Sequence, residues 1–145
     1  MKRALGIDPG DVRVGVAISD ELKFLAHPLE TIDVRRTPAI ARIRELVTSR
    51  DVDAIVIGLP RNMDGSHGPA AEKAAKFIDA LRAAINDPAV RIIGLDERMT
   101  TLSAQRSLRE AGRKAHEQKN IIDQAAAQVI LQSWLDAQAG GLSSL

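Results

Sequence analysis

The stretch that most constrains this chain is residues 4–10, where a short apolar run ends in a carboxylate, Asp8, followed at once by Pro9 and Gly10. An apolar run that ends in an acid and a turn is typical of a buried strand that delivers a carboxylate to the rim of a sheet. Asp8 is therefore either a residue that organises the turn or a ligand in a site. The choice between these two roles of Asp8 depends on the other residues of the chain.

The composition limits the kinds of site that are available. The chain has 145 residues, 45% of them hydrophobic and 27% charged, which suits one globular domain with a core. It has no Cys, so disulfides and thiolate metal sites are excluded, and its two Phe and one Trp disfavour a platform of stacked bases. No apolar run reaches the length of about 18 residues that a membrane span needs, and the N-terminus lacks a signal-peptide pattern. We therefore expect a cytoplasmic protein without a membrane partner.

The formal net charge is only +1, but basic residues are concentrated in two stretches. One stretch is residues 98–120, which contain six basic and two acidic residues. The other consists of five arginines, namely Arg35, Arg36, Arg42, Arg44 and Arg50. Such clusters indicate either a polyanionic partner or simply solvated helix faces.

Hydrophobic periodicity predicts a strand-rich first part and a helical remainder. We expect strands at residues 2–8 and 12–19, a third at 24–34 interrupted by His27 and Pro28, and two more at 53–59 and 90–95. Helices are predicted from Pro38, over 69–85, over 100–111 and over 120–139. The inner side of the last helix is predicted to carry Ile121, Ile122, Ala125, Val129 and Leu135.

The order of these elements predicts the fold class. Three strands linked as hairpins, followed by alternating strands and helices, indicate a mixed five-stranded sheet in a three-layer α/β/α domain. The first strand is expected in the middle, with strands four and five parallel to it. Residues 1–139 would form this single domain, and residues 140–145 a flexible tail.

Acidic residues follow the strands that should end at one edge of this sheet. Asp8 ends the first strand, Asp96 and Glu97 follow the fifth, and Asp123 lies early in the last helix. Open α/β sheets bind their ligands at this edge. Converging carboxylates suit Mg²⁺ or Mn²⁺, and two such ions about 4 Å apart can hydrolyse a phosphodiester.

Each acid also has a purely structural interpretation. Asp8 could organise the turn, Asp96 could cap a helix or pair with Arg98, and Asp123 could compensate the positive end of its helix. A shared site follows only if the acids converge.

Four segments together resemble the YqgF/RuvX family of Holliday-junction-resolvase-like proteins and candidate pre-16S rRNA nucleases. They are residues 6–20, 58–66, 96–101 and 119–131, in the order found in that family. The resemblance implies a ribonuclease H-like fold and a divalent-metal-dependent nuclease. It implies that Asp8, Glu97 and Asp123 are the catalytic, metal-binding residues. Asp96 is a rival to Glu97, because a shift of one residue reverses which side chain points inward.

Further polar residues in these segments are candidates for nucleic-acid binding. Arg13 lies on a face of small residues and could reach a phosphate, although a salt bridge to an acid such as Asp20 is equally consistent with its position. The other candidates are Asn62, Ser66 and His67 in the polar loop at 60–68, with Arg98, Thr100 and Lys119.

The resemblance predicts hydrolysis of structured nucleic acid, either rRNA precursor ends or branched DNA or RNA. The alternative is a non-catalytic nucleic-acid-binding factor that retains the fold. A homodimer would suit a two-fold symmetric junction. The Asp-Pro-Gly turn also resembles the phosphate loop of actin-like kinases, but those proteins need two lobes, which is more than this chain can form.

Overall fold

The computed structural model describes residues 2–59, 69–96 and 115–143, with side chains in the last two ranges at 71–95 and 123–139. Within these ranges the chain forms five strands and three helices. The strands are β1 (Arg3–Asp8), β2 (Arg13–Ser19), β3 (Ala26–Asp33), β4 (Val52–Leu59) and β5 (Arg91–Asp96). The helices are α1 (Ala39–Ser49), α2 (Pro69–Ile85) and α3 (Ala115–Ser143).

The five strands form one mixed sheet in the order β3-β2-β1-β4-β5. β2 is antiparallel to both β1 and β3, while β4 is parallel to β1 and to β5. The predicted topology, with the first strand in the middle, is therefore confirmed. The directions of the strands place the ends of β1, β3, β4 and β5 and the beginning of β2 along one side, called here the carboxyl edge.

Alternation along the strands divides the core into two layers. Leu5 and Ile7 of β1 belong to a cluster with Ile43 of α1 and Leu81 of α2 on one face of the sheet. Ala4 of the same strand belongs to the opposite cluster, which is completed by α3. Because successive side chains of a strand point to opposite faces, these two clusters assign a face to every position of β1.

The third strand differs from its prediction. The structure has one continuous strand from Ala26 to Asp33 that includes His27 and Pro28, and the exposed residues Phe24 and Leu25 precede it. Its pairing with β2 shifts register between Val16 and Ala17. β3 is an edge strand, and proline is tolerated there because its missing N–H is not needed by a neighbour.

The last helix is longer than predicted, and its buried side is displaced by about one position. Ala126, Ala127 and Ile130 are fully buried, whereas Ala125 and Val129 are only partly buried. Small side chains face the sheet here because the helix lies very close to it. The prediction was wrong for Ala125 and Val129 and is confirmed for Leu135, which is buried, while the side chains of Ile121 and Ile122 lie outside the described residues.

Glutamines of α3 cover part of the outer edge of β3. The amide of Ala26 donates to Oε1 of Gln132, and its carbonyl accepts from Nε2 of Gln128, both at 2.9 Å. Gln132 also donates to the carbonyl of Phe24 at 2.9 Å. Backbone groups that an edge strand would leave unpaired are thus satisfied by side chains.

The loop at 60–68 and the predicted helix at 100–111 lie outside the described residues. Among the helices that are described, none combines the length and apolar character needed to cross a membrane.

Ser19 provides a test of this fold. Its buried hydroxyl accepts a hydrogen bond from the amide of Ala4 at 2.8 Å and donates to the carbonyl of Asp20 at 2.9 Å. Ser19→Ala leaves a buried amide without its partner, so we expect the free energy of unfolding to fall by about 1–3 kcal/mol in urea titrations. Ser49→Ala, at an exposed position, should change it by less than about 0.5 kcal/mol. Equal effects of the two substitutions would contradict the role of Ser19.

Candidate active site at the carboxyl edge

Asp8 lies at the end of β1 on the face that α3 covers. Ala4 and Gly6 precede it at intervals of two residues. Ala4 belongs to the cluster built with α3, and a Cβ on Gly6 would come within 2.6 Å of the carbonyl oxygen of Ala127. Alternation therefore directs the side chain of Asp8 to the same side of the sheet as α3.

Gly15 brings Asp123 to the same place. Gly15 lies directly opposite Asp8 in the β1–β2 ladder, where paired Cα atoms are about 4.5–5.5 Å apart. A Cβ on Gly15 would be 3.1 Å from the Cα of Asp123 and would overlap its carbonyl group. The main chain of α3 at Asp123 therefore rests on Gly15. Because Gly15 is also paired with Asp8, Asp8 and Asp123 both lie next to this glycine.

Arg13 completes the described part of this site. Its Nε donates to Oδ2 of Asp123 at 3.1 Å, and the two side chains are 31% and 22% exposed. Burial raises the pKa of Asp123, and the charge and hydrogen bond of Arg13 oppose that rise. The salt bridge considered for Arg13 is therefore present, but its partner is Asp123 and not Asp20. The carboxylate of Asp20 instead accepts hydrogen bonds from the amides of Phe24 and Leu25.

A second ion pair at this edge was not predicted. Lys73 in the second turn of α2 donates to Oδ1 of Asp11, in the β1–β2 turn, at 3.0 Å. Both side chains are well exposed, so the pair contributes little stability, although it links α2 to the turn beside Asp8. The two residues are 62 positions apart, and no local pattern in the sequence signals their contact.

The other predicted site residues are not all described. The backbone of Asp96 ends β5 at the carboxyl edge, next to Leu59 of β4, and its side chain lies outside the described residues. Lys119 belongs to α3 by its backbone alone. Glu97, Asn62, Ser66, His67, Arg98 and Thr100 also lie outside the described residues.

The donor set fits a hard divalent cation. Within residues 2–59, 71–95 and 123–139, no group of three or more His, Asp or Glu side chains is arranged to hold a metal ion. Two carboxylates around Gly15 nevertheless supply the oxygen ligands that Mg²⁺ and Mn²⁺ prefer. Asp123 is partly buried and forms a salt bridge with Arg13.

Comparison with known proteins identifies the same family as the sequence motifs. The family model described as "RuvX: Holliday junction resolvase" matches residues 2–137. A protein of Nocardia farcinica named "Putative pre-16S rRNA nuclease" is 45% identical over 150 residues, covering 99% of this chain and 82% of its own length. A protein of Acetivibrio thermocellus with the same name is 45% identical over 138 residues, covering 94% and 96%.

Solved structures agree at the level of the fold. T. thermophilus RuvC in complex with a Holliday junction substrate has a TM-score of 0.58 at 20% identity, over 97% of each chain. The fowlpox virus Holliday junction resolvase has a TM-score of 0.58 at 11% identity, over 94% of this chain and 99% of its own. The predicted ribonuclease H-like architecture is thereby confirmed.

Gly15→Ala tests the contact between α3 and the sheet. The added methyl group meets the main chain of Asp123, which cannot rotate away, so α3 must move. We expect a loss of about 1–3 kcal/mol in unfolding free energy together with weaker Mn²⁺ binding by calorimetry. Gly94→Ala is the control, since its methyl group meets the mobile end of the Leu59 side chain at 2.6 Å. Unchanged Mn²⁺ binding in Gly15→Ala would show that this contact does not position Asp123.

Proposed function

The chain belongs to the RuvX family, and on that premise we propose that it is a nuclease that uses divalent metal ions to hydrolyse phosphodiester bonds of structured nucleic acid. The proposed substrates are the ends of the 16S rRNA precursor or branched DNA or RNA, in the cytoplasm. One observation carries the proposal, namely that Gly15 brings Asp8 and Asp123 together at the carboxyl edge. A homodimer would match a substrate with two-fold symmetry.

We assign the metal to Asp8, Asp123 and Glu97. The choice of Glu97 over its rival Asp96 is supported by the alternation of β5, in which Ile93 and Leu95 pack on the cluster that contains α3. If this alternation continued to position 97, the side chain there would lie on the same face of the sheet as Asp8 and Asp123. Two bound Mg²⁺ or Mn²⁺ ions would supply activation of water and stabilisation of the leaving oxygen.

Arg13 is proposed to bind the substrate phosphate. Its guanidinium lies at the carboxyl edge on Asp123, and planar guanidinium groups are suited to paired hydrogen bonds with phosphate oxygens. The same guanidinium neutralises a partly buried carboxylate, that of Asp123. A divalent cation held by Asp8 and Asp123 would supply this compensation instead, and the guanidinium could then bind an anionic ligand.

The remaining contacts to nucleic acid are assigned from the family motifs. Asn62, Ser66 and His67 belong to the polar loop that follows β4, a strand that ends at the carboxyl edge. Arg98 and Thr100 follow β5, which ends at the same edge. Lys119 precedes Asp123 by one turn of α3. Polar and basic side chains of this kind commonly bind the sugar-phosphate backbone.

Substitution of the carboxylates tests the catalytic assignment. Asp8→Asn, Glu97→Gln and Asp123→Asn should each reduce Mn²⁺-dependent cleavage of a pre-16S rRNA fragment and of a four-way DNA junction by at least about 100-fold, because each removes a charge that holds the metal. Asp96→Asn is the matched control and should retain activity. Full cleavage by folded Asp8→Asn would refute the mechanism. Loss in Asp96→Asn alone would transfer the third ligand to that residue. Nucleic-acid binding without cleavage by the wild type would support a non-catalytic binding factor.

Arg13→Gln tests competition between the guanidinium and the metal at Asp123. A partly exposed ion pair is worth about 1 kcal/mol or less, so its removal should tighten Mn²⁺ binding up to about five-fold by calorimetry while cleavage falls. Arg3→Gln is the control, because Arg3 forms a comparable pair with Glu21, at 3.3 Å, away from the carboxyl edge. Weaker Mn²⁺ binding in Arg13→Gln would instead show that Arg13 supports the metal site.

A further inference from the structure

Three glutamines of α3 bind β3 from successive turns of the helix. Gln124, Gln128 and Gln132 are four residues apart and therefore lie on one face of α3. Gln128 and Gln132 bind the backbone where β3 begins, at the edge of the sheet opposite the carboxyl edge. Gln124 binds a side chain instead, because its Nε2 donates to Oγ1 of Thr31 at 3.0 Å. This contact lies near the end of β3 and thus near the carboxyl edge.

The pairing of the strands connects Thr31 to the candidate active site. Thr31 lies directly opposite Gly15 in the β2–β3 ladder, and Gly15 lies directly opposite Asp8 in the β1–β2 ladder. Residues that face each other across antiparallel strands share a face of the sheet, so Thr31 is on the side that α3 covers. Since neighbouring strands are about 4.8 Å apart, the Cα of Thr31 is about 10 Å from that of Asp8. Asp8, Gly15 and Thr31 therefore form one row across the sheet.

Gln124 follows Asp123 directly, and the two side chains bind different strands. Asp123 accepts from Nε of Arg13 on β2 at 3.1 Å, whereas Gln124 donates to Thr31 on β3. Consecutive residues of an α-helix are rotated by about 100°, so contacts to two strands restrain the rotation of α3 about its axis. Gly15 permits the close approach of the helix but has no side chain that opposes its rotation. The orientation of the Asp123 carboxylate therefore depends on these polar contacts.

Of the two polar contacts, only the one made by Gln124 does not involve the carboxylate of Asp123. The salt bridge with Arg13 uses Oδ2, an oxygen of the group that we assign to the metal. That bridge competes with a divalent cation for the same carboxylate, so it is a poor support for a metal ligand. The hydrogen bond between Gln124 and Thr31 is neutral, and both side chains are partly buried. Metal binding at Asp123 need not disturb it.

We propose that Gln124 and Thr31 are positioning residues that hold the carboxylate of Asp123 in its metal-binding orientation. Their hydrogen bond fixes α3 on β3 immediately beside Asp123, and so directs that carboxylate towards Asp8. This inference rests on the proposed nuclease function and adds the edge strand β3 to the elements that build its metal site. Both residues act through Asp123, and neither is assigned to the metal or to the substrate.

Mn²⁺ binding, measured by calorimetry in the absence of nucleic acid, tests the inference. Gln124→Met and Thr31→Val each remove the hydrogen bond and nearly preserve the size of the side chain. We expect each to weaken Mn²⁺ binding about five-fold, which corresponds to one neutral hydrogen bond. Thr31→Ser keeps the hydroxyl group and should bind Mn²⁺ within about two-fold of the wild type.

Gln128→Met is the matched control. Gln128 also donates one hydrogen bond from α3 to β3, to the carbonyl of Ala26 at 2.9 Å, but at the other end of the strand. Gln128→Met and Gln124→Met should lower the unfolding temperature equally, by about 3 °C, while only Gln124→Met weakens Mn²⁺ binding. The double variant Gln124→Met/Thr31→Val should bind Mn²⁺ as well as either single variant, because both substitutions remove the same hydrogen bond.

Wild-type Mn²⁺ affinity in folded Gln124→Met or Thr31→Val would overturn the inference, as would an equal loss of affinity in Gln128→Met. Losses that multiply in the double variant would also overturn it, because they would show that the two residues act separately. If Gln124→Met does not fold, the comparison of Thr31→Val with Thr31→Ser decides alone.

The cleavage assay separates this inference from the proposed function. Weaker Mn²⁺ binding in Gln124→Met, with no cleavage by the wild type, would keep the positioning contact and reject the nuclease. Cleavage that depends on Asp8, with the same half-saturating Mn²⁺ concentration in Gln124→Met and the wild type, would do the reverse. Wild-type protein that binds no Mn²⁺ would overturn both the inference and the metal assignment.

Discussion

The contact of α3 with the sheet is the constraint on which the site depends. Gly6 and Gly15 present no side chains, so the helix backbone rests directly on the strands at Ala127 and Asp123. A helix held one side chain further away would carry Asp123 with it, beyond the reach of Arg13. The absence of a side chain at these two glycines therefore allows α3 to bring Asp123 to the candidate active site.

Much of the fold could be predicted from local patterns. The strand order and the placement of Asp8 follow from apolar runs, turn residues and the succession of strands and helices, all of which are local signals. The partner of Arg13 could not be predicted in this way, because Asp123 is 110 positions away while Asp20 is close in sequence. The buried stripe of α3 was predicted only in part for a related reason: Leu135 is buried as expected, but Ala126 and Ala127 are buried because the helix lies close to the sheet, which periodicity does not reveal.

Charge counted along the sequence describes this surface poorly. The five arginines between Arg35 and Arg50 look alike in the sequence, but the charge of Arg42 is compensated by two glutamates, Glu30 and Glu45. Pairing across the fold decides which charges act at a distance. Tertiary structure therefore reduces an apparently uniform basic cluster to a few directional contacts.

The glutamines on α3 have a consequence for self-association. An exposed edge strand is a template for the strand of another molecule, and such pairing leads to aggregation or domain swapping. At Ala26 both backbone groups are already occupied by Gln128 and Gln132, and the neighbouring carbonyl of Phe24 is occupied as well. A second copy could not extend the sheet there without first displacing these amides. The same helix that positions the site thus closes one route to aggregation.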